Sequence, residues 1–234
     1  MKKFSLTLFA ALLFIAATLQ ASAQTQQTRQ VSGFNSIASA GAFDVHVKID
    51  GTESLKLTAG EAVINEIETV VENNKLHIRF KNNHEWHNEN HSKIEVYVTA
   101  KSLSALSIAG SGYFKVDGEL TGEDVKLDIS GSGNITTAVK SEKIHTLISG
   151  SGVIDVTGNA NDASFTITGS GDLKAKEFKV NMASVSIAGS GKAYVNAEKT
   201  IAAHIAGSGS VVYSGNATVN EFRSAGSGSI TKAK

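Results

Sequence analysis

"IAGSGYFKV", residues 108–116, sets the tripeptide Gly110-Ser111-Gly112 between an apolar stretch and an alternating one. The tripeptide returns in "ISGSGNIT", "ISGSGVID", "ITGSGDLK", "IAGSGKAY", "IAGSGSVV" and "SAGSGSIT", with first glycines at Gly131, Gly150, Gly169, Gly189, Gly207 and Gly226. Successive spacings are 21, 19, 19, 20, 18 and 19 residues. Two residues before each first glycine stand Ile108, Ile129, Ile148, Ile167, Ile187, Ile205 and Ser224. Four after it stand Phe114, Ile135, Ile154, Leu173, Ala193, Val211 and Ile230. The odd offsets between them are mostly polar or small. This is period-two alternation, the pattern of a strand with one buried face.

One turn of about 19 residues cannot enclose a core, but stacked turns can, each bonding its backbone to the turns above and below about 4.8 Å away. The repeat therefore predicts an all-β fold, a right-handed parallel β-helix, or single-stranded β-solenoid, with turns of about 19–20 residues. The hand follows from the rule for parallel crossovers. The glycine pairs Gly110 and Gly112, Gly131 and Gly133, Gly150 and Gly152, Gly169 and Gly171, Gly189 and Gly191, Gly207 and Gly209, and Gly226 and Gly228 are read as structural turns. Glycine suits a corner where every rung bends with positive φ or where backbone passes close to backbone. A propeller blade needs roughly twice this period, and a sandwich has no reason to repeat one tripeptide in register.

The chain has 234 residues, no cysteine and no proline, so disulfides and thiolate metal sites are excluded and glycine supplies the sharp bends. Residues 1–23 read as a cleaved signal peptide: Lys2 and Lys3, an apolar run from Phe4 to Leu19, and the small-x-small site Ala21-Ser22-Ala23. Without a cysteine after the site, bacterial lipoprotein attachment is excluded. No second apolar run is long enough to span a membrane, so no transmembrane segment is expected after signal removal. Losing Lys2 and Lys3 leaves 20 basic and 22 acidic residues, a net charge of −2. That balance argues against nucleic acid and anionic lipid as partners. Residues 24–234 read as a single β-helix domain, with irregular first turns over 24–105 and regular turns over 106–234. In the irregular part, "IASAGAFDVHV" aligns with "IAGSGYFKV" if Ser39-Ala40-Gly41 stands for the tripeptide, which puts Phe43 beside Phe114 and Val45 beside Val116.

The stretches "FNSIASAGAFDVHVKIDG" (34–51), "VVENNKLHIRF" (70–80) and "IEVYVTAKSLSALSIAGSG" (94–112), running into serial GSG turns, resemble the GIN-domain family of auto-transporter adhesin heads, common in Bacteroidetes. The likeness covers nearly all of the chain after the signal peptide. It implies a right-handed parallel β-helix at the cell envelope. One feature departs from the auto-transporter label: only eight residues follow Gly226, so no membrane barrel and no C-terminal sorting domain is expected.

Candidate chemistry is sparse. "NHEWHNENHSK" (83–93) carries His84, His87 and His91 with Trp86, a set whose imidazoles suit zinc or copper. It lies in a polar, asparagine-rich loop that must lose entropy before closing on an ion. These four are kept as candidate binding residues, Trp86 as a sugar platform or a loop anchor, and neither a metal nor a cofactor is assigned. Asp155 and Asp172, on adjacent rungs, form the best pair for sugar cleavage, but Asp155 shares its column with Lys174, and a surface ion pair explains it equally well. Nonapeptide-type calcium binding needs an aspartate on every turn, and only Asp172 directly follows a tripeptide. Tyr113, Tyr194 and Tyr213 stand at different offsets and form no continuous stacking track. The expected protein is an exported, non-catalytic component of the periplasm or cell surface with an adhesin-like binding or structural role, its partner a glycan or an envelope protein. The alternatives are a polysaccharide-acting enzyme working in a side groove and a module forming homo-oligomers through the solenoid ends.

Overall fold

The computed structural model describes residues 24–81 and 93–233. Residues 1–23, read above as a signal peptide, and the stretch carrying His84, Trp86, His87 and His91 lie outside the described residues.

The elements are β1 (Gln24–Arg29), β2 (Ser36–Ala40), β3 (Asp44–Ile49), β4 (Ser54–Gly60), the short helix α1 (Glu61–Ile64), β5 (Ile67–Glu72), β6 (Lys75–Phe80), β7 (Glu95–Ala100), β8 (Ala105–Gly110), β9 (Tyr113–Gly131), β10 (Asn134–Gly150), β11 (Val153–Gly169), β12 (Asp172–Gly189), β13 (Lys192–Gly207), β14 (Ser210–Ser214), β15 (Thr218–Gly226) and β16 (Ser229–Lys232). From β8 onward every pairing is parallel and joins one rung to the next, the pattern of a β-solenoid.

An odd repeat creates a problem that the fold solves in one place. Ile135 and Ile154 are Cα partners on stacked rungs and both face inward. Strict alternation over 19 residues would turn the second of them outward. In the 19- and 21-residue turns the phase therefore has to slip once, whereas the 20-residue turn slips twice, at Ala175 to Phe178 and at Val180 to Ala183, and the 18-residue turn does not slip. In β10 the phase slips between Val139 and Ile144, both buried and five apart, where the chain bends between two extended sides. The same bend absorbs unequal turn lengths. The two 19-residue turns, β10 and β11, pair without a register shift. Where lengths differ, the shift sits at or beside this region: Thr136 to Ala138 against β9, Asp155 to Gly158 against β12, Ala175 to Met182 against β13, and Ile201 to Ala202 against β15. The tripeptide corner stays in register throughout, Gly131 on Gly110, Gly150 on Gly131, and so on to Gly226 on Gly207.

The corner explains why it is invariant along the chain. Gly169 has φ +119°, and a Cβ there would lie 2.5 Å from the carbonyl oxygen of Gly150. That oxygen accepts the N–H of Ser170 at 2.9 Å, so the close approach is also the bond that joins the rungs. The second glycine serves the core. A Cβ on Gly191 would strike Cγ2 of Ile167 at 2.6 Å, so the missing side chain is the space into which the isoleucine column packs. Inside, ladders run through the stack. One passes Leu57, Val96, Val45, Phe114, Ile135, Ile154, Leu173, Ala193, Val211 and Ile230. Phe43, Phe114, Phe165 and Phe178 are fully buried.

The first turns differ from a simple series. The β2–β3 rung lies between the β6–β7 strands and the β8–β9 rung, so stacking order departs from chain order. Beyond it the sheet turns antiparallel, with β4 between β1 and β7, and β5 in a hairpin with β6. Asn73 and Asn74, at φ 51° and 62°, make that hairpin's turn, the conformation asparagine tolerates best after glycine. The polar strand QTQQTR of β1 closes this end with an edge poor in apolar side chains, which discourages strand addition. Arg29 locks it down, its guanidinium donating to the carbonyls of Ile64 and Ile67 at 2.7 and 2.6 Å. Burial holds that guanidinium's pKa below its ordinary value.

The register expected for "IASAGAFDVHV" is corrected by two residues. Gly41, not Ser39, stacks on Gly110, Val45 pairs with Phe114, and Val47 pairs with Val116. Phe43 thus takes the place of a second glycine and fills the corner, fully buried and stacked on Phe80 at 5.0 Å. A slip of two preserves the inward–outward alternation, so period alone cannot detect it.

Candidate ligand-binding wall

The strand patterns "DVHVKI" and "EVYVTA" bury their valines and turn Asp44, His46, Lys48, Glu95, Tyr97 and Thr99 outward. Because β7 pairs with β3, and β3 with β9, side chains far apart in sequence share one wall. His46 has Tyr97 as its Cα partner on one side and Lys115 on the other, while Lys56 faces Tyr97 from β4. The rings of His46 and Tyr97 stack at 4.9 Å and 13°, and Tyr113 meets His46 edge-on at 5.4 Å and 89°. The Tyr113 hydroxyl and His46 Nε2 share a hydrogen bond of 2.9 Å. The Lys56 ammonium lies 5.2 Å from the centre of the Tyr97 ring, within cation–π range.

In the neighbouring outward column, where Glu95, Asp44 and Tyr113 are Cα partners, sits a charge network. Lys93 reaches Glu95 at 2.9 Å and Asp44 at 3.1 Å, and the Tyr97 hydroxyl donates to Glu95 at 3.1 Å. The hydrogen bond from Lys93, then that from Tyr97, holds the Glu95 carboxyl below its usual range. The same Tyr97–Glu95 bond raises the Tyr97 phenol, and burial raises Tyr113. Both phenols therefore stay protonated donors at neutral pH. Beside the rings is an open concavity of about 810 Å³ whose lining includes Lys48, Lys56, Lys115, Asp117, Tyr97 and Thr99. Thr99 and Ser54 share a 2.9 Å hydroxyl contact within it. Tyr97 keeps 39% of its surface exposed. Three lysines against one aspartate give the lining a positive balance in a chain with equal numbers of acids and bases.

Such an arrangement offers hydrogen bonds, cations and an aromatic edge, the means of holding a polar ligand. Among the described residues no group of three or more histidines, aspartates and glutamates is placed to hold a metal ion. Asp155 and Lys174 are Cα partners on adjacent rungs without an ion pair between them, while Asp172 lies in another column, beside Val153 and Lys192. The sequence reading passed over His46, Lys56 and Tyr97. Alternation in their strands marks them as outward, yet nothing local shows that β4, β7, β3 and β9 lie side by side. Tyr194 belongs to the same outward column as Tyr97, by way of His46, Lys115, Thr136, Asp155 and Lys174, and has Lys176 4.6 Å from its ring centre.

The family described as "Putative auto-transporter adhesin, head GIN domain" matches residues 33–217. A solved structure from Bacteroides fragilis, described as a "putative adhesin", is similar over 91% of this chain and 98% of its own, with TM-score 0.81 at 23% identity. A "putative lipid binding protein" from Parabacteroides distasonis is similar over 92% and 98%, with TM-score 0.73 at 25% identity. A "putative adhesin" from Parabacteroides merdae covers the same shares, with TM-score 0.72 at 23% identity. No curated protein matches the chain.

Proposed function

The chain belongs to the family described as "Putative auto-transporter adhesin, head GIN domain", and from that membership we propose that it is an exported, non-catalytic binding protein of the periplasm or cell surface. The observation that carries the reading is the wall of His46, Tyr97, Tyr113 and Lys56 on a rigid stack. A solenoid holds outward side chains at fixed spacing, so ligand binding costs little reordering of the protein. The leader-like residues 1–23 support export, and a single β-helix domain over 24–234 supports presentation of one continuous wall.

The test is a panel of envelope glycans, lipid vesicles and envelope proteins offered to purified protein, with retention and release of new reducing ends read together. Retention without cleavage is expected. Release of reducing ends would replace this reading with that of a polysaccharide-acting enzyme and direct mutation to Asp155 and Asp172. A second reading, self-association through the ends of the stack, draws on Phe222, which faces inward on the last described rung yet is 42% exposed. Sedimentation of the protein at rising concentration tests it, and a constant monomer mass rejects it.

A further inference from the structure

Resting on the binding reading, we infer that the wall takes an acidic polysaccharide whose chain runs along the stack axis from the Tyr97 groove toward Tyr194. The charge accounting favours an anion. Lys48, Lys56 and Lys115 converge on the groove from three strands. Lys56 has the Tyr97 ring as its partner, and Lys48 touches Asp50 only at 3.8 Å. Of the acids around the groove, Asp44 and Glu95 are held by Lys93 and Asp50 accepts two hydrogen bonds from Thr52, leaving Asp117 as the carboxylate in the lining. In the column toward Tyr194 the single acid, Asp155, stands next to Lys174, and Lys115 lies in the same column. A ligand carboxylate or sulfate entering here meets more cations than anions.

The remaining chemistry favours a sugar over a simple ion. Ser54 and Thr99 hydroxyls and the exposed edge of Tyr97 offer the mixed polar and apolar contacts that a pyranose ring presents. Polymer length enters through the column. From Tyr97 to Tyr194 is six strand steps, about 29 Å at about 4.8 Å per strand. The far end repeats the pairing of a lysine with a tyrosine, Lys176 over Tyr194. A monosaccharide reaches one such pair and a polymer reaches both, so the second contact is intramolecular and strengthens binding without new chemistry.

The experiment is titration of purified protein with polygalacturonate, with short galacturonate oligomers, with dextran as a neutral polymer, and with phosphatidylglycerol vesicles. Wild type is compared with Lys56→Gln, Lys115→Gln and Tyr194→Ala, each checked for unchanged circular dichroism and Tm. Expected are binding of polygalacturonate but not dextran, weakening with salt, and a loss of about two- to fivefold for each lysine, the scale of an exposed ion pair. Tyr194→Ala should weaken the polymer and leave the short oligomers unchanged. Equal binding of dextran, indifference to the lysine substitutions, or binding of vesicles alone overturns the inference. Retention of a neutral glycan or a protein in the panel would then leave the binding reading standing, whereas an empty panel removes both.

Discussion

Gly169→Ala probes the corner on which the stack is built. Alanine at φ +119° costs about 1–3 kcal/mol in backbone strain alone. Its Cβ would sit 2.5 Å from the Gly150 oxygen, about 0.9 Å inside the 3.4 Å at which ordinary contact begins. If the rungs part by that much, the 2.9 Å bond from Ser170 N–H to the same oxygen passes out of hydrogen-bond range, at a further cost of about 1 kcal/mol. The total is about 2–4 kcal/mol. Gly122→Ala is the control: it has no positive φ and its nearest neighbour would be Ser104 Cβ at 3.5 Å. That variant should match wild type or gain up to about 1 kcal/mol through the unfolded chain. Urea unfolding followed by circular dichroism reads the difference. With a slope of about 2–3 kcal/mol per molar, the Gly169→Ala midpoint falls by about 1 M. Coincident midpoints for the two variants would refute the argument that close approach and positive φ fix the tripeptide.

Three other perturbations test separate parts of the structure. Phe165→Ala empties a fully buried site between Thr146 and Val185 and should lower Tm by on the order of 10 °C, from a loss of about 3–5 kcal/mol, read by calorimetry. Burial raises the pKa of Asp128, so its contribution favours the fold below the unfolded value of about 3.9 and is lost as pH rises through the folded value. Asp128→Asn should therefore be more stable than wild type at pH 7, with the gap closing in acid; a variant less stable at pH 7 contradicts this. Glu53, with 8% of its side chain exposed, accepts from Lys101 at 2.8 Å and from the Gly33 N–H at 2.9 Å, and the Lys101 bond leads in lowering its pKa. Its contribution is present above the unfolded value of about 4.3 and fades as pH falls through the folded one. Glu53→Gln should lose stability at pH 7 and approach wild type in acid, as unfolding midpoints across pH would show.

How much of this was legible in the sequence follows from what a local pattern can encode. The tripeptide, the isoleucine two residues before it and the apolar position four after it are consequences of one corner repeated, so they announce the stack. The register at Gly41 was not legible, because Phe43 does by filling what the glycines do by leaving space, and a slip of two leaves the alternation intact. The insertion of the β2–β3 rung between β6–β7 and β8–β9 was equally hidden, since pairing partners are set by long-range contacts that no window of sequence contains. The candidate wall inherits that blindness. His46, Tyr97 and Lys115 could each be read as outward, but they meet only because the chain stacks its first turns out of order. The histidines and Trp86 drew attention as a dense local cluster, which is the kind of signal a sequence displays most readily.

A crystal structure of the protein with an acidic oligosaccharide decides whether the outward wall around Tyr97 holds a ligand without cleaving it. An intact chain of sugars is expected over the Tyr97 groove, its acidic groups on Lys56 and Lys115. Density on another wall, or a cleaved glycosidic bond, would contradict that expectation.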